Sequence, residues 1–284
     1  MKIAFVGLGV MGFPMAGHLA AAGHDLNVFN RSVGKSKAWA DKFGGRVGAD
    51  IGDTVGECQI VALCVGRDDD VRRVVAEALP AMPAGAVIVD HTTTSASLAR
   101  DLAEQARAAG RAFVDAPVSG GQAGAEAGQL AIMVGGDVEA VAKVEPVIGS
   151  YAKAIKYMGG PGAGQLTKMA NQICIAGVVQ GLAEAVTFAK RAGLDPRDVY
   201  EAISKGAAQS WQMDNRWETM AAGKFDFGFA VDWMRKDLGL VLDEGRANGS
   251  RLEVTALVDQ FYAEVQGMGG GRWDTSSLAA RLDR

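Results

Sequence analysis

The 284-residue sequence predicts an α/β protein: a doubly wound, mainly parallel sheet, then a smaller all-helical domain joined to it by a long central helix. Three observations predict this. From residue 2 to about 157, strand-length apolar runs alternate with helix-length segments. The first such pair is separated by a glycine-rich turn, Gly7-Leu-Gly-Val-Met-Gly12. Beyond Ala163 the strand-like runs stop and only helical segments follow.

Lys2-Ile-Ala-Phe-Val6 reads as a buried parallel strand, a helix runs to about Ala22, and Leu26–Phe29 is the next strand. A G-x-G-x-x-G pattern between strand and helix is the dinucleotide fingerprint of a Rossmann-type domain. Gly7 allows the tight turn, Gly9 lets the backbone approach a pyrophosphate, and Gly12 lets the helix pack on the strand. Leu8, Val10 and Met11 complete the loop, and the helix N-terminus offers free N–H groups to the phosphates. At the end of the second strand, NAD-binding folds usually place an acid for the ribose 2′-hydroxyl. Here the residues are Asn30-Arg31-Ser32. Arginine and serine can bind a 2′-phosphate through charge-assisted hydrogen bonds. The sequence therefore predicts NADP in preference to NAD, the alternative being an ordinary exposed arginine.

Ile60–Val65, Ala86–Val89 and Ala112–Val114 are further strands, with helices over Asp69–Leu79 and Ser95–Ala109. Ligands of such sheets lie beyond the carboxyl ends of the strands. Three polar segments sit there: Gly66-Arg67-Asp68 after Cys64 and Val65, His91-Thr-Thr93-Thr94, and Asp115-Ala-Pro-Val-Ser119-Gly120-Gly121. The last suits an anion, because glycines expose backbone N–H groups and serine adds a hydroxyl. Leu130–Val134, Val138–Ile148 and Ala152–Tyr157 read as strand, helix and last strand.

The long helix covers about residues 163–192 and is apolar on nearly every side beyond Gln172, as a helix buried on most faces would be. Lys168, Asn171 and Gln172 stand at i, i+3 and i+4 and share one face of its first turns. Either that face meets solvent at a helix start, or it lines an active site at a domain junction. Helices follow over Asp195–Ser204, Asp214–Ala222, Val231–Asn248 and Glu253–Gln266, then a glycine loop and a short helical segment from Asp274. The expected domains are residues 1–161, nucleotide-binding, and 162–284, helical, including the joining helix.

The composition, 49% hydrophobic and 22% charged with a formal net charge of −4, is that of a globular protein without a basic tract. Nucleic acid is not an expected partner. No stretch is read as a membrane span, and the N-terminal apolar run is broken by glycines, so a secretion signal is not expected either. Three cysteines lack metal or redox spacing, which fits a reducing, cytoplasmic setting. The long apolar helix suggests a partner copy, hence a homodimer or homotetramer.

Several segments together resemble the β-hydroxyacid dehydrogenase family, which includes 3-hydroxyisobutyrate dehydrogenase and tartronate semialdehyde reductase. The resemblance covers the whole chain. Gly7-Leu-Gly-Val-Met-Gly-Phe-Pro-Met15 is similar to its cofactor loop, Asp115–Gly121 to its substrate segment, Gly162-Ala-Gly-Gln-Leu-Thr-Lys168 to its catalytic segment, and Lys236-Asp-Leu238 to a C-terminal motif. The resemblance implies that Lys168 is catalytic, that Ser119, Gly120 and Gly121 hold a substrate carboxylate, and that Thr93 and Lys236 lie at the nicotinamide. Asn171-Gln172 is similar to the semialdehyde reductase branch, Ser210-Trp211 to the hydroxyisobutyrate branch, with Trp211 a substrate contact. Val65-Gly66 and His91 depart from the family pattern within the cofactor loops. Asn30-Arg31 resembles the NADP-using members.

These residues imply hydride transfer between NADP(H) and a small carboxylated 3-hydroxy acid or semialdehyde: 3-hydroxyisobutyrate, tartronate semialdehyde, succinic semialdehyde or glyoxylate. Lys168 would act as general acid and base, with Asn171 or Gln172 on the reacting oxygen. His18 and His24 belong to the first helix and its end and are not obvious bases. The alternatives are imine reduction on the same fold, where the lysine is usually replaced, and a non-catalytic NADP-binding regulator. A decarboxylating 6-phosphogluconate dehydrogenase would need a larger helical domain.

Overall fold

The computed structural model describes residues 1–282. The chain forms two compact units, Met1–Lys168 and a second beginning at Met169. The first contains β1 (Lys2–Val6), β2 (Asp25–Phe29), β3 (Arg46–Val47), β4 (Ile60–Leu63), β5 (Val87–Asp90), β6 (Ala112–Asp115), β7 (Val118–Ser119), β8 (Leu130–Gly135) and β9 (Ala152–Gly159). They form one nine-stranded sheet, ordered β3-β2-β1-β4-β5-β6-β8-β7, with β9 beside β8. The pairings from β3 through β6 are parallel. β8 runs antiparallel to β6 and β7 and parallel to β9.

The run Ile3-Ala-Phe-Val6 shows why the sheet is covered on both faces. Successive side chains point to opposite sides of a strand. Ile3 and Phe5 join one apolar cluster with α1 (Gly12–Ala21) and α7 (Val138–Ile148). Ala4 and Val6 join another with α4 (Asp68–Ala78) and α5 (Ala96–Ala108). Continuous apolar strands are the signature of such doubly covered parallel sheets.

Some elements escape the sequence pattern. α2 (Val33–Phe43) buries only Ser36 and Trp39, so its apolar period is too sparse to read. α3 (Ile51–Val55), α6 (Gly121–Glu126), β3 and β7 are each one or two turns or a two-residue pairing, too short for periodicity.

The second unit holds most of α8 (Ala163–Arg191, 29 residues), then α9 (Pro196–Ile203), α10 (Trp211–Ala221), α11 (Val231–Asn248), α12 (Glu253–Gly267) and a 3-10 segment over Thr275–Arg281. Its core joins Ala176, Val179, Ala183 and Val186 of α8 to Trp217, Met234, Leu238 and Tyr262. α10 starts at Trp211 rather than at the expected Asp214, because the Ser210 side chain caps it, accepting from the Met213 N–H at 3.0 Å.

Two expectations for α8 need correction. Its burial is one-sided: Phe188 is 72% exposed, and Leu166, Cys174 and Val178 are exposed as well. The helix is also long and apolar enough, by length and composition, to cross a membrane, contrary to the sequence reading. Half of its most apolar window is buried inside the protein, which is how a core helix meets the same criteria.

Candidate functional site

The glycine loop is built as a cradle. Gly7 has φ +101°, and a Cβ there would lie 2.1 Å from the Cys64 carbonyl oxygen. A Cβ on Gly12 would lie 1.9 Å from the Gly7 carbonyl oxygen. Both positions are closed to side chains, whereas a Cβ on Gly9 would meet nothing within 4 Å. The space in front of Gly9 and the start of α1 therefore fits the pyrophosphate of a dinucleotide. An open depression of about 390 Å³ adjoins it, lined among others by Leu8, Gly9, Val10, Gly34 and Lys35. Val10 is exposed and Met11 half-buried.

Asn30 takes a bracing place beside this loop. Its Oδ1 accepts from the Leu8 N–H at 2.9 Å, and its Nδ2 donates to the Ser32 carbonyl at 3.2 Å. Arg31 and Ser32 are exposed at the start of α2, where Ser32 is the N-cap residue and its hydroxyl makes no capping bond. Groups that could reach a 2′-phosphate are thus Arg31 and Ser32, with Asn30 setting their backbone.

The carboxyl ends of β4, β5 and β6 are tied to one another and to the start of α8. Val65 N–H donates to Thr92 Oγ1 at 3.0 Å. Gln165, fully buried, donates from Nε2 to the Thr92 carbonyl at 2.8 Å and accepts at Oε1 from the Thr94 N–H at 3.0 Å. Thr93, half-buried, lies between these clamped residues. Asp115, also fully buried, accepts from the N–H groups of Gly162 at 2.8 Å and Gln165 at 2.9 Å. It therefore serves the first turn of α8 as a capping anion, favoured at a helix N-terminus. Burial raises its carboxyl above the ordinary aspartate value, and the backbone donors Gly162, Gln165 and Gly164 pull it back.

Close approach is possible because Gly164 has no side chain. A Cβ there would stand 2.5 Å from the Met133 carbonyl oxygen and 2.7 Å from that of Asp115. One turn beyond Gln165 comes Lys168, which is buried, 7% exposed. A solvent-facing lysine at a helix start is therefore not what this side chain is.

His91 turns away from the cofactor loop that the sequence assigned it to. It is buried, with Nδ1 2.7 Å from the Ala116 carbonyl and Nε2 2.8 Å from the Tyr151 hydroxyl. Nδ1–H donates to the carbonyl and Nε2 accepts from the tyrosine, a neutral tautomer with both nitrogens satisfied. Burial pushes its pKa down to about 4.

Ser119 ends β7, paired with Ala131, and Gly120 and Gly121 follow at φ +134° and +61°. Both glycines are exposed. Positive φ at successive residues needs glycine and keeps the backbone bare. His18 of α1 holds the far end of this segment, its Nε2 3.0 Å from the Ala125 carbonyl and 3.1 Å from that of Glu126. Cys64 and Val65 are half-buried at the end of β4.

In the second unit a polar chain crosses the core. Asn171 Nδ2 donates to Gln172 Oε1 at 2.8 Å, and Gln172 Nε2 donates to Asp237 Oδ2 at 2.7 Å. Lys236 Nζ stands 3.0 Å from Asp237 Oδ1. Gln172 is 2% exposed and both ends of its amide are engaged, so it positions its neighbours rather than offering itself to a ligand. Trp211 stands outside this network. It is exposed, and the Arg216 guanidinium stacks between its ring and that of Phe227, at 5.1 and 5.0 Å from the centroids.

The sequence reading left out Asp115 as a helix cap, Gln165 and Asp237. All three lie inside motifs it quoted, Gln165 three residues before Lys168. Nothing in their spacing distinguishes a side chain that holds a helix from one that holds a ligand.

Fold and cradle define a dinucleotide-binding protein on a Rossmann-type sheet. Residues 2–160 match the family described as the NAD binding domain of 6-phosphogluconate dehydrogenase. Residues 162–282 match the family described as NAD-binding of NADP-dependent 3-hydroxyisobutyrate dehydrogenase. An uncharacterised oxidoreductase of Shewanella frigidimarina is 59% identical over 100% of this chain and 98% of its own. The 2-hydroxy-3-oxopropionate reductase of Escherichia coli is 36% identical over 100% and 97%. Among solved structures, Mycobacterium tuberculosis 3-hydroxyisobutyrate dehydrogenase with L-serine is 31% identical, covers 100% of this chain and 99% of its own, and superposes with a TM-score of 0.92. The chain belongs to the β-hydroxyacid dehydrogenase family, as an NAD(P)-dependent dehydrogenase.

Proposed function

We propose that this enzyme interconverts a small 3-hydroxy carboxylate and its semialdehyde, preferring NADP(H), with Lys168 as the general acid and base. The observation that carries the reading is Lys168 itself: a buried lysine one turn beyond a helix start pinned by Asp115 and Gln165. A lysine amine held away from bulk solvent is the setting in which lysines serve as proton-transfer groups.

The relatives' names support the substrate class. 2-Hydroxy-3-oxopropionate, 3-hydroxyisobutyrate and L-serine each carry an oxygen two carbons from a carboxylate. The bare backbone of Gly120 and Gly121 beside Ser119 suits that carboxylate. Nicotinamide, when bound, exchanges the hydride. In the oxidative direction Lys168, neutral, takes the hydroxyl proton; in reduction its ammonium returns one and stabilises the developing alkoxide. Asn171 lies one turn further along α8 and is the amide we assign to the reacting oxygen, its Nδ2 being the donor that a carbonyl or alkoxide oxygen needs; Gln172 accepts from the same group and holds the amide in place. NADP preference is assigned to Arg31 and Ser32, with no acid at the end of β2 to repel a 2′-phosphate.

The test is steady-state turnover of a panel of carboxylated semialdehydes and 3-hydroxy acids with NADPH and NADH, for wild type and Lys168→Ala. General acid–base catalysis contributes about 10²–10⁴-fold, so Lys168→Ala should lose at least a hundredfold in kcat and keep NADPH binding. Lys168→Arg should not recover it, since a guanidinium does not exchange protons near neutrality. A variant retaining a tenth of kcat would show that another group is the acid.

A further inference from the structure

Gln165 makes its hydrogen bonds to the backbone on both sides of one residue. Its amide is fully buried, donates to the carbonyl of Thr92 at 2.8 Å and accepts from the N–H of Thr94 at 3.0 Å. Two opposed bonds to flanking residues fix the local backbone as a ladder pair would, and only a group with a donor and an acceptor side by side can make them. Thr92 is fixed from other directions too. Its N–H donates to Asp90 Oδ1 at 2.9 Å, and its hydroxyl accepts from Val65 N–H at 3.0 Å. The Gln165 backbone N–H is meanwhile held by Asp115 at 2.9 Å. Helical spacing then puts Lys168 on the same face as Gln165, one turn on.

We propose that Gln165 is a positioning residue that locks the Thr92–Thr94 segment to the turn of α8 carrying Lys168, fixing the distance between cofactor-side and proton-transfer groups. The inference rests on the functional reading of Lys168 and Thr93 given above. Its physical basis is short-range: a displacement of Thr93 is transmitted to Lys168 through two hydrogen bonds, one side chain and one helical turn. Catalysis is sensitive to such positioning, since misplacement of about 1 Å can cost on the order of a hundredfold.

The amide pattern provides its own test. Gln165→Glu is nearly isosteric. An ionised carboxylate can still accept from Thr94 but turns a second acceptor towards the Thr92 carbonyl. Once protonated, the introduced carboxyl regains a donor and restores both bonds. Such a buried acid titrates above its usual range, so the switch falls at accessible pH. Gln165→Leu removes both bonds and carries no proton to switch.

The experiment follows kcat, the NADPH dissociation constant and the melting temperature of wild type, Gln165→Glu and Gln165→Leu from pH 5.5 to 8.5, at a temperature where all are folded. At pH 8.5 both variants should lose at least tenfold in kcat, with NADPH weakened by a smaller factor. On lowering the pH, Gln165→Glu should return towards wild type in both quantities while Gln165→Leu stays low. Melting temperatures that fall while kcat and NADPH affinity of the folded variants match wild type would overturn the proposal and make Gln165 a packing residue. A constant ratio of Gln165→Glu to wild type across pH would also overturn it. If wild type turns over none of the carboxylated panel, the functional reading fails by itself, and NADPH affinity still decides whether the clamp exists.

Discussion

Replacing Asp115 tests how the start of α8 is held. The carboxylate accepts from two backbone N–H groups, Gly162 at 2.8 Å and Gln165 at 2.9 Å, in a fully buried place. Hydrogen bonds to a charged acceptor contribute about 1.5–3 kcal/mol each, and an orphaned buried N–H costs about 1–3 kcal/mol. Against this stands the desolvation of the carboxylate, visible in its raised pKa. Asp115→Ala should therefore cost a net of roughly 2–4 kcal/mol. With about 2–4 °C lost per kcal/mol in domains of this size, the melting temperature should fall by on the order of 5–15 °C. Asp115→Asn keeps one acceptor and should lose about half as much. The sign with pH is fixed as well. A carboxyl whose folded pKa lies above the unfolded one contributes most below the unfolded value and less as pH rises through the folded one. The gap between wild type and Asp115→Ala should narrow as pH rises from 4 towards neutrality. Because α8 also carries Lys168, kcat should drop by about tenfold. Melting temperatures within 2 °C of wild type for both variants would refute the anchoring argument.

Other outcomes follow from the same geometry. Arg31→Ala should weaken NADPH by about tenfold to a hundredfold, the loss of one charge-assisted hydrogen bond of roughly 1.5–3 kcal/mol, and leave NADH nearly unchanged; equal use of both cofactors by wild type would sink the NADP assignment. His91 has a folded pKa of about 4 against an ordinary 6.5, so its contribution is complete above pH 6.5 and fades as pH falls towards 4. The shift amounts to about 3 kcal/mol; His91→Leu should melt lower at pH 7 but show a flatter melting profile between pH 4.5 and 6.5, and parallel profiles would contradict a buried neutral imidazole. Replacing the substrate carboxylate by its methyl ester should reduce kcat/KM by at least a hundredfold, since the site's donors then lose a charged partner; equal kcat/KM for acid and ester would remove Ser119–Gly121 from the carboxylate role.

What the sequence determined alone is the part written in local pattern. Continuous apolar runs such as Ile3–Val6 specify strands buried on both faces, and alternation with helices specifies a doubly wound sheet. Gly7, Gly9 and Gly12 mark a cradle: the structure places backbone 2.1 and 1.9 Å from the missing Cβ atoms of Gly7 and Gly12, which only glycine tolerates, and leaves the space in front of Gly9 open. The spacing of Lys168 and Asn171 fixes a shared helical face before any contact is known. What tertiary structure alone decided is how polar side chains are used. Asn30 and Gln172 look available to ligands in the sequence, yet their amides are taken up by Leu8 and Ser32 in one case and Asn171 and Asp237 in the other. His91 falls within a cofactor loop by sequence but pairs with Tyr151, sixty residues away. Asp115 and Gln165 reach their partners across about fifty and seventy positions. Hydrogen-bond partners at such separations depend on which strand ends and helix starts the fold brings together, and a one-dimensional pattern of polarity holds no record of that.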